Sequence, residues 1–156
     1  MFKKILIPTD GSPLSDKAVD AAIEFAQKMG SELLVLSVAE PYVYMGLMEG
    51  AGVFPTDPVM YDDKVKALAQ KHLDKVEAAT RNKGVSCKTM VAVGLSPYEE
   101  IVRVAEEQKC DAIFMASHGR KGLNKLFIGS ETQKVLAHTS LPLSLIHISE
   151  PTRRYA

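Results

Sequence analysis

Residues Glu32 to Val38 read Glu-Leu-Leu-Val-Leu-Ser-Val, an apolar run with hardly a break. A strand that is hydrophobic at successive positions has to be covered on both faces, as in a parallel sheet sandwiched between helices. Phe2 to Pro8 and Asp111 to Ala116 are further apolar runs, and Val85 to Val93 alternates less cleanly, as an edge strand does. Leu141 to Ile148 is a short apolar fifth run in which Leu141, Leu143 and Leu145 share a face.

Helices with legible ends separate these runs. Ser12 is a good N-cap and Pro13 a good first residue, so a helix is expected to about Met29, closed by Gly30, with Ala18, Ala22, Phe25, Ala26 and Met29 on one face. Asp57-Pro58 opens a second helix, whose face of Val65, Leu68, Ala69, Leu73, Val76 and Ala79 continues until Asn82-Lys83-Gly84. His72 lies beside that face and reads as a boundary residue, not a ligand. Ser96 and Glu99 form a capping box around Pro97, and the helix they start buries Ile101, Val102 and Ala105. A fourth helix covers Ser130 to Thr139. Strand and helix alternate throughout, which argues for an open, doubly wound parallel sheet with helices on both faces and right-handed crossovers. Ligands in such sheets bind beyond the carboxyl ends of the strands, where the winding reverses.

With 156 residues and no apolar run of membrane length or signal peptide, the chain reads as one cytosolic domain that does not enter a membrane. Nineteen basic side chains balance nineteen acidic ones, which argues against a nucleic-acid binder. Cys87 and Cys110 lack metal or redox spacing and read as reduced structural thiols, and the four histidines form no metal pattern. Ala39 to Thr56 holds Gly46, Gly50 and Gly52 among Tyr42, Tyr44, Met45, Met48 and Phe54 without a clean period. It forms either a lid or partner surface, or a satellite cluster packed under a loop.

Two stretches carry candidate chemistry. Met115 to Val135 joins a strand end, a glycine-bounded loop and the helix opening at Gly129-Ser130, with Arg120, Lys121 and Lys125 as side-chain charge. A helix N-terminus binds anions, because its first amides have no internal partner and the helix dipole adds positive charge there. Equally, Ser130 with Gln133 makes a capping box that needs no ligand. The second stretch is Pro8-Thr9-Asp10-Gly11-Ser12. Asp10 there either caps the turn or hydrogen-bonds ribose hydroxyls or an adenine amino group.

The spacing Ala116-x2-Gly119-x9-Gly129-Ser130 resembles the nucleotide-loop signature of the universal stress protein family, Gly-x2-Gly-x9-Gly-Ser/Thr, with Ala116 in place of the first glycine. Pro8 to Ser12 resembles the first-strand motif of that family, and Gly94-x-x-Pro97-x-x-x-Ile101 is similar to a further, mostly structural, pattern. The resemblance covers about residues 1 to 143 and implies a five-stranded, Rossmann-like sheet of the adenine-nucleotide alpha-hydrolase type, order 3-2-1-4-5, reversing between strands one and four. It implies ATP or AMP as ligand, with Mg²⁺ bridging the phosphates of ATP. Pro8, Thr9, Asp10 and Val38 would flank or hold the adenosine. The amides of Gly119, Gly129, Ser130 and Glu131 and the Ser130 hydroxyl would hold phosphate, Arg120 would be a mobile counter-charge, and Met115, Ala116 and His118 would form the floor. In the family the last strand often pairs two subunits, so a homodimer through it is expected.

One domain is expected over residues 1–148, with a polar tail over 149–156 that resembles nothing in the family, and foreign sequence of cloning origin is expected to begin as early as about Ser144. No Walker-type Gly-x-x-x-x-Gly-Lys-Ser/Thr run occurs, and Ser117-His118 are neighbours with no evident acidic orienter, so neither phosphoryl transfer nor triad hydrolysis has its parts. A nucleotide-dependent stress-response switch or signalling module, at most a slow ATPase, is the expected function. The alternative is a dimeric interaction module that uses no nucleotide, which Ala116 favours and Gly119, Gly129 and Ser130 oppose.

Overall fold

Alternate side chains of β1 (Lys4–Pro8) enter different cores: Ile5 and Ile7 face one way and Leu6 the other. In β2 (Glu32–Ala39), Leu33 and Val35 join the first core, Leu34 and Leu36 the second. This two-sided burial is why the runs are continuous in apolar character. The computed structural model describes residues 1–41, 57–117 and 128–146. The remaining elements are α1 (Pro13–Met29), α2 (Pro58–Asn82), β3 (Cys87–Val93), α3 (Pro97–Glu107), β4 (Ala112–Ala116), α4 (Ser130–His138) and β5 (Leu143–Ile146). The strands form one parallel sheet in the expected order β3-β2-β1-β4-β5, with β3 at an edge. Buried residues of α1 and α2 line the first core, those of α3 and α4 the second. No described helix is long and apolar enough to cross a membrane.

The helix starts follow the local signals. Ser12 Oγ accepts the Ser15 amide at 3.2 Å with Pro13 behind it, and Asp57 Oδ1 accepts the Val59 amide at 3.0 Å. Gly30 ends α1 at φ +69°, a left-handed conformation that glycine adopts without a Cβ penalty.

Several expected core positions lie outside the core. Leu68 is 60% exposed because α2 outruns the sheet: its 25 residues span about 37 Å at 1.5 Å each. The seven residues of β3 span only about 24 Å. The fully buried residues of α2, Leu73, Val76 and Thr80, therefore all fall in its second half. Met29, in the last turn of α1, is likewise half-exposed. In α3 the buried third residue is Val104, and Val102 packs only partly. Leu141, just before β5, and Leu143 within it pack on the second core and Ile146 on the first, whereas Leu145 is exposed. Ser144, Leu145 and Ile146 pair in register with Phe114, Met115 and Ala116; residues from His147 onward, with the polar tail, lie outside the described residues.

At the opposite end of the sheet from its carboxyl edge, Asp111 Oδ2 accepts the amides of Lys3 at 2.7 Å and Lys4 at 2.8 Å, fastening the start of β1 to that of β4. These amides, that of Lys4 foremost, hold its carboxyl below its ordinary value. Both cysteines are free, and burial pushes both thiols above their ordinary value, as structural thiols require.

One feature of the pairing opens the sheet. β1 and β2 stay in register to Pro8↔Leu36, and β4 and β5 to Ala116↔Ile146. Between them, β1 and β4 pair only through Ile5↔Ala112 and Leu6↔Ile113. The two central strands thus part towards their carboxyl ends, at the reversal of winding.

Candidate functional site

The turn after β1 is built by Thr9. Its amide donates to the Leu36 carbonyl at 2.8 Å, and its hydroxyl oxygen meets the Gly11 amide at 3.2 Å, Ser15 Oγ at 2.7 Å and His72 Nε2 at 3.3 Å. Thr9 is buried, with its amide and its hydroxyl oxygen engaged in the protein. Its amide and hydroxyl shape the turn. Asp10 does cap the turn, accepting the Ser12 amide on Oδ1 at 2.9 Å while its own amide donates to Ser15 Oγ at 3.2 Å. Asp10 is nevertheless exposed, so capping and ligand contact are compatible in one carboxylate. Gly11 stands at φ +72°, where a side chain would strain the turn. Pro8 and Val38 are half-buried at the ends of β1 and β2, and Val38 packs against the second core.

Across the parting, Met115 is buried and Ala116 half-buried at the end of β4. The Ala116 methyl packs against the first core, which accommodates the departure from glycine. Thr132 Oγ1 donates to the Ala116 carbonyl at 3.3 Å and pins the first turn of α4 to the strand end.

The start of α4 differs by one residue from the capping box expected at Ser130. Gly129, not Ser130, is the N-cap, and no side chain caps the helix. Gln133 Nε2 reaches the Ile128 carbonyl at 2.8 Å, so the capping box at Ser130 does not form and the exposed Ser130 hydroxyl is not used in one. The Gly129 amide, expected among the phosphate donors, donates to the Ser117 carbonyl at 2.8 Å. That leaves the first-turn amides of Ser130 and Glu131, which by position have no intrahelical acceptor. The Glu131 carboxylate turns to α3: Oε2 accepts the Tyr98 amide at 3.2 Å and Oε1 pairs with Lys134 Nζ at 3.1 Å. This contact replaces the second expected capping box, because Ser96 caps α3 by position without a side-chain bond, and Glu99 accepts the Tyr98 hydroxyl at 3.0 Å. His118, Gly119 and Arg120, with Lys121 and Lys125, lie outside the described residues, as do residues 42–56.

The fold thus brings the ends of β1 and β2, the end of β4 and the start of α4 to one side of the sheet. His72, read from the sequence as a boundary residue, also reaches the turn after β1. It sits one position before the fully buried Leu73, and its Nε2 reaches Thr9 and, at 3.2 Å, Asp16 Oδ1. Only tertiary packing brings it to the turn, so no local signal announces it.

The family model described as "Universal stress protein family" matches residues 1–147. The universal stress protein MJ0531 of Methanocaldococcus jannaschii is 31% identical over 147 residues, covering 94% of this chain and 82% of its own. Among solved structures, that of the protein MJ0577, from the same organism, superposes with a TM-score of 0.80 at 26% identity, covering 97% of this chain and 99% of the other. A universal stress protein from Archaeoglobus fulgidus in complex with dAMP shares the fold at a TM-score of 0.62 and 18% identity, covering 92% and 97% of the two chains.

Proposed function

The chain belongs to the universal stress protein family, and from that premise we propose that it binds ATP or AMP where β1 and β4 part and acts as a nucleotide-dependent switch in the stress response. The observation that carries this reading is the start of α4: the Ser130 hydroxyl is outside any cap, beside two first-turn amides, and Thr132 pins that turn to the end of β4. Phosphate binds the Ser130 and Glu131 amides and the Ser130 hydroxyl. His118, Gly119 and Arg120 join it by the family resemblance, Mg²⁺ is carried on the phosphates of ATP, and Gly129 acts by closing the turn. Adenosine lies towards Asp10, Pro8 and Val38, above Met115 and Ala116. A fold relative in complex with dAMP supports an adenine nucleotide as the ligand class.

The protein is a cytosolic switch and at most a slow ATPase, since its motifs lack a placed nucleophile. It is a homodimer through β5, an edge strand with exposed Leu145 and, on the adjoining helix, exposed Leu136. The competing reading, an interaction module that uses no nucleotide, has the engaged Gly129 amide in its favour. Calorimetric titration of nucleotide-stripped protein with ATP and AMP, with and without Mg²⁺, decides between them. Micromolar binding that Asp10→Ala and Ser130→Ala weaken supports the switch; a folded sample that binds nothing up to millimolar nucleotide overturns it.

A further inference from the structure

His72 Nε2 stands 3.2 Å from Asp16 Oδ1 and 3.3 Å from Thr9 Oγ1. An ionised carboxylate only accepts hydrogen bonds, so the nitrogen facing Asp16 carries a hydrogen, which Thr9 Oγ1 shares. The Thr9 oxygen has two lone pairs; the Gly11 amide meets one at 3.2 Å, and the His72 N–H takes the other. Ser15 Oγ lies 2.7 Å from the Thr9 hydroxyl oxygen and accepts the Asp10 amide at 3.2 Å. The chain of polar contacts thus runs from α2, through the end of β1, into α1.

We propose that His72 is a positioning residue for the candidate nucleotide site: its Nε2–H orients the Thr9 hydroxyl and so holds the turn that presents Asp10. His72 touches no ligand itself. The proposal rests on the nucleotide reading for its ligand, and not for the link between His72 and the turn.

Two substitutions test it, because they separate hydrogen bonding from packing. His72→Leu fills the space without a donor, whereas His72→Gln returns a neutral N–H at similar reach. In the unliganded protein, exchange of the Asp10 and Gly11 amides is expected to quicken about tenfold in His72→Leu and to return within about twofold of wild type in His72→Gln, the loss and recovery of one hydrogen bond. A side chain that merely packs gives the reverse order, with Leu close to wild type and Gln worse, and that result overturns the proposal without any nucleotide. Adenosine affinity is expected to fall about fivefold to tenfold in His72→Leu and to recover in His72→Gln. Equal affinity of both variants and wild type overturns the positioning role. Should the exchange rates respond while wild-type protein binds neither adenosine nor ATP, the nucleotide reading fails and the positioning role falls with it, leaving only the link to the turn. If His72→Leu does not fold, Thr9→Val replaces it. Adding His72→Gln to Thr9→Val is then expected to change exchange by less than about twofold, and additive effects refute the coupling.

Discussion

The Glu131 carboxylate, in the first turn of α4, accepts the backbone amide of Tyr98, in the first turn of α3, at 3.2 Å. One helix thereby caps its neighbour, and Lys134, 3.1 Å from the same carboxylate and 5.6 Å from the Tyr98 ring centroid, completes the contact. Tyr98 also packs on His138, with ring centroids 4.9 Å apart. The same contact draws a negative side chain away from the amides that the nucleotide reading assigns to phosphate.

Glu131→Ala is expected to destabilise the fold by about 1 kcal/mol, the ordinary worth of an N-terminal cap. Glu131→Gln keeps an acceptor and should lose less than half of that. Urea denaturation of both variants measures the difference, and equal losses would show that charge, not capping, is what Glu131 contributes.

Ser130→Ala should weaken ATP binding about tenfold and leave adenosine binding within about twofold of wild type, since one hydrogen bond to a charged phosphate is removed. Parallel titrations with the two ligands read this directly. A matched loss for both would move Ser130 from the phosphate end to a general structural role.

Ala116→Gly restores the glycine of the family signature, yet the Ala116 methyl packs on the first core. The expected outcome is a stability loss of roughly 0.5–1 kcal/mol, as for glycine within a strand, with no more than a threefold gain in nucleotide affinity. A gain of tenfold or more would mean that the methyl obstructs the ligand.

Asp111 sets a pH dependence. Its carboxyl is held below its ordinary value in the folded protein, so its contribution is complete above that ordinary value and fades as pH falls through the lower folded one. Asp111→Asn should therefore lower Tm at pH 7 and converge with wild type in strong acid. Thermal melts across the acid range test this; a constant Tm offset at every pH would contradict it.

The strands and the starts of α1 and α2 were legible in the sequence, because apolar runs such as Leu33–Leu36 and caps such as Ser12-Pro13 and Asp57-Pro58 are local signals; the sheet order came from the resemblance to the family. Leu68 and Met29 followed the helical period correctly but sit where a helix overhangs the strands or reaches its last turn, which periodicity alone does not record. At the site, the place where the ends of β1 and β4 flank the reversal of winding followed from topology. The engagement of Thr9 by His72, of Gly129 by Ser117 and of Tyr98 by Glu131 did not, since each joins residues distant in sequence. The α4 cap falls on Gly129 and not on Ser130 because Gln133 turns to the Ile128 carbonyl, a contact the capping-box pattern does not encode.

The bond from the Gly129 amide to the Ser117 carbonyl, 2.8 Å long, fastens the departure point of β4 to the entry point of α4. Both partners in this bond are main-chain groups, so the placing of helix against strand does not depend on which side chains surround the joint. The frame of the candidate site is in that sense written in backbone, and side chains near it can change without moving it.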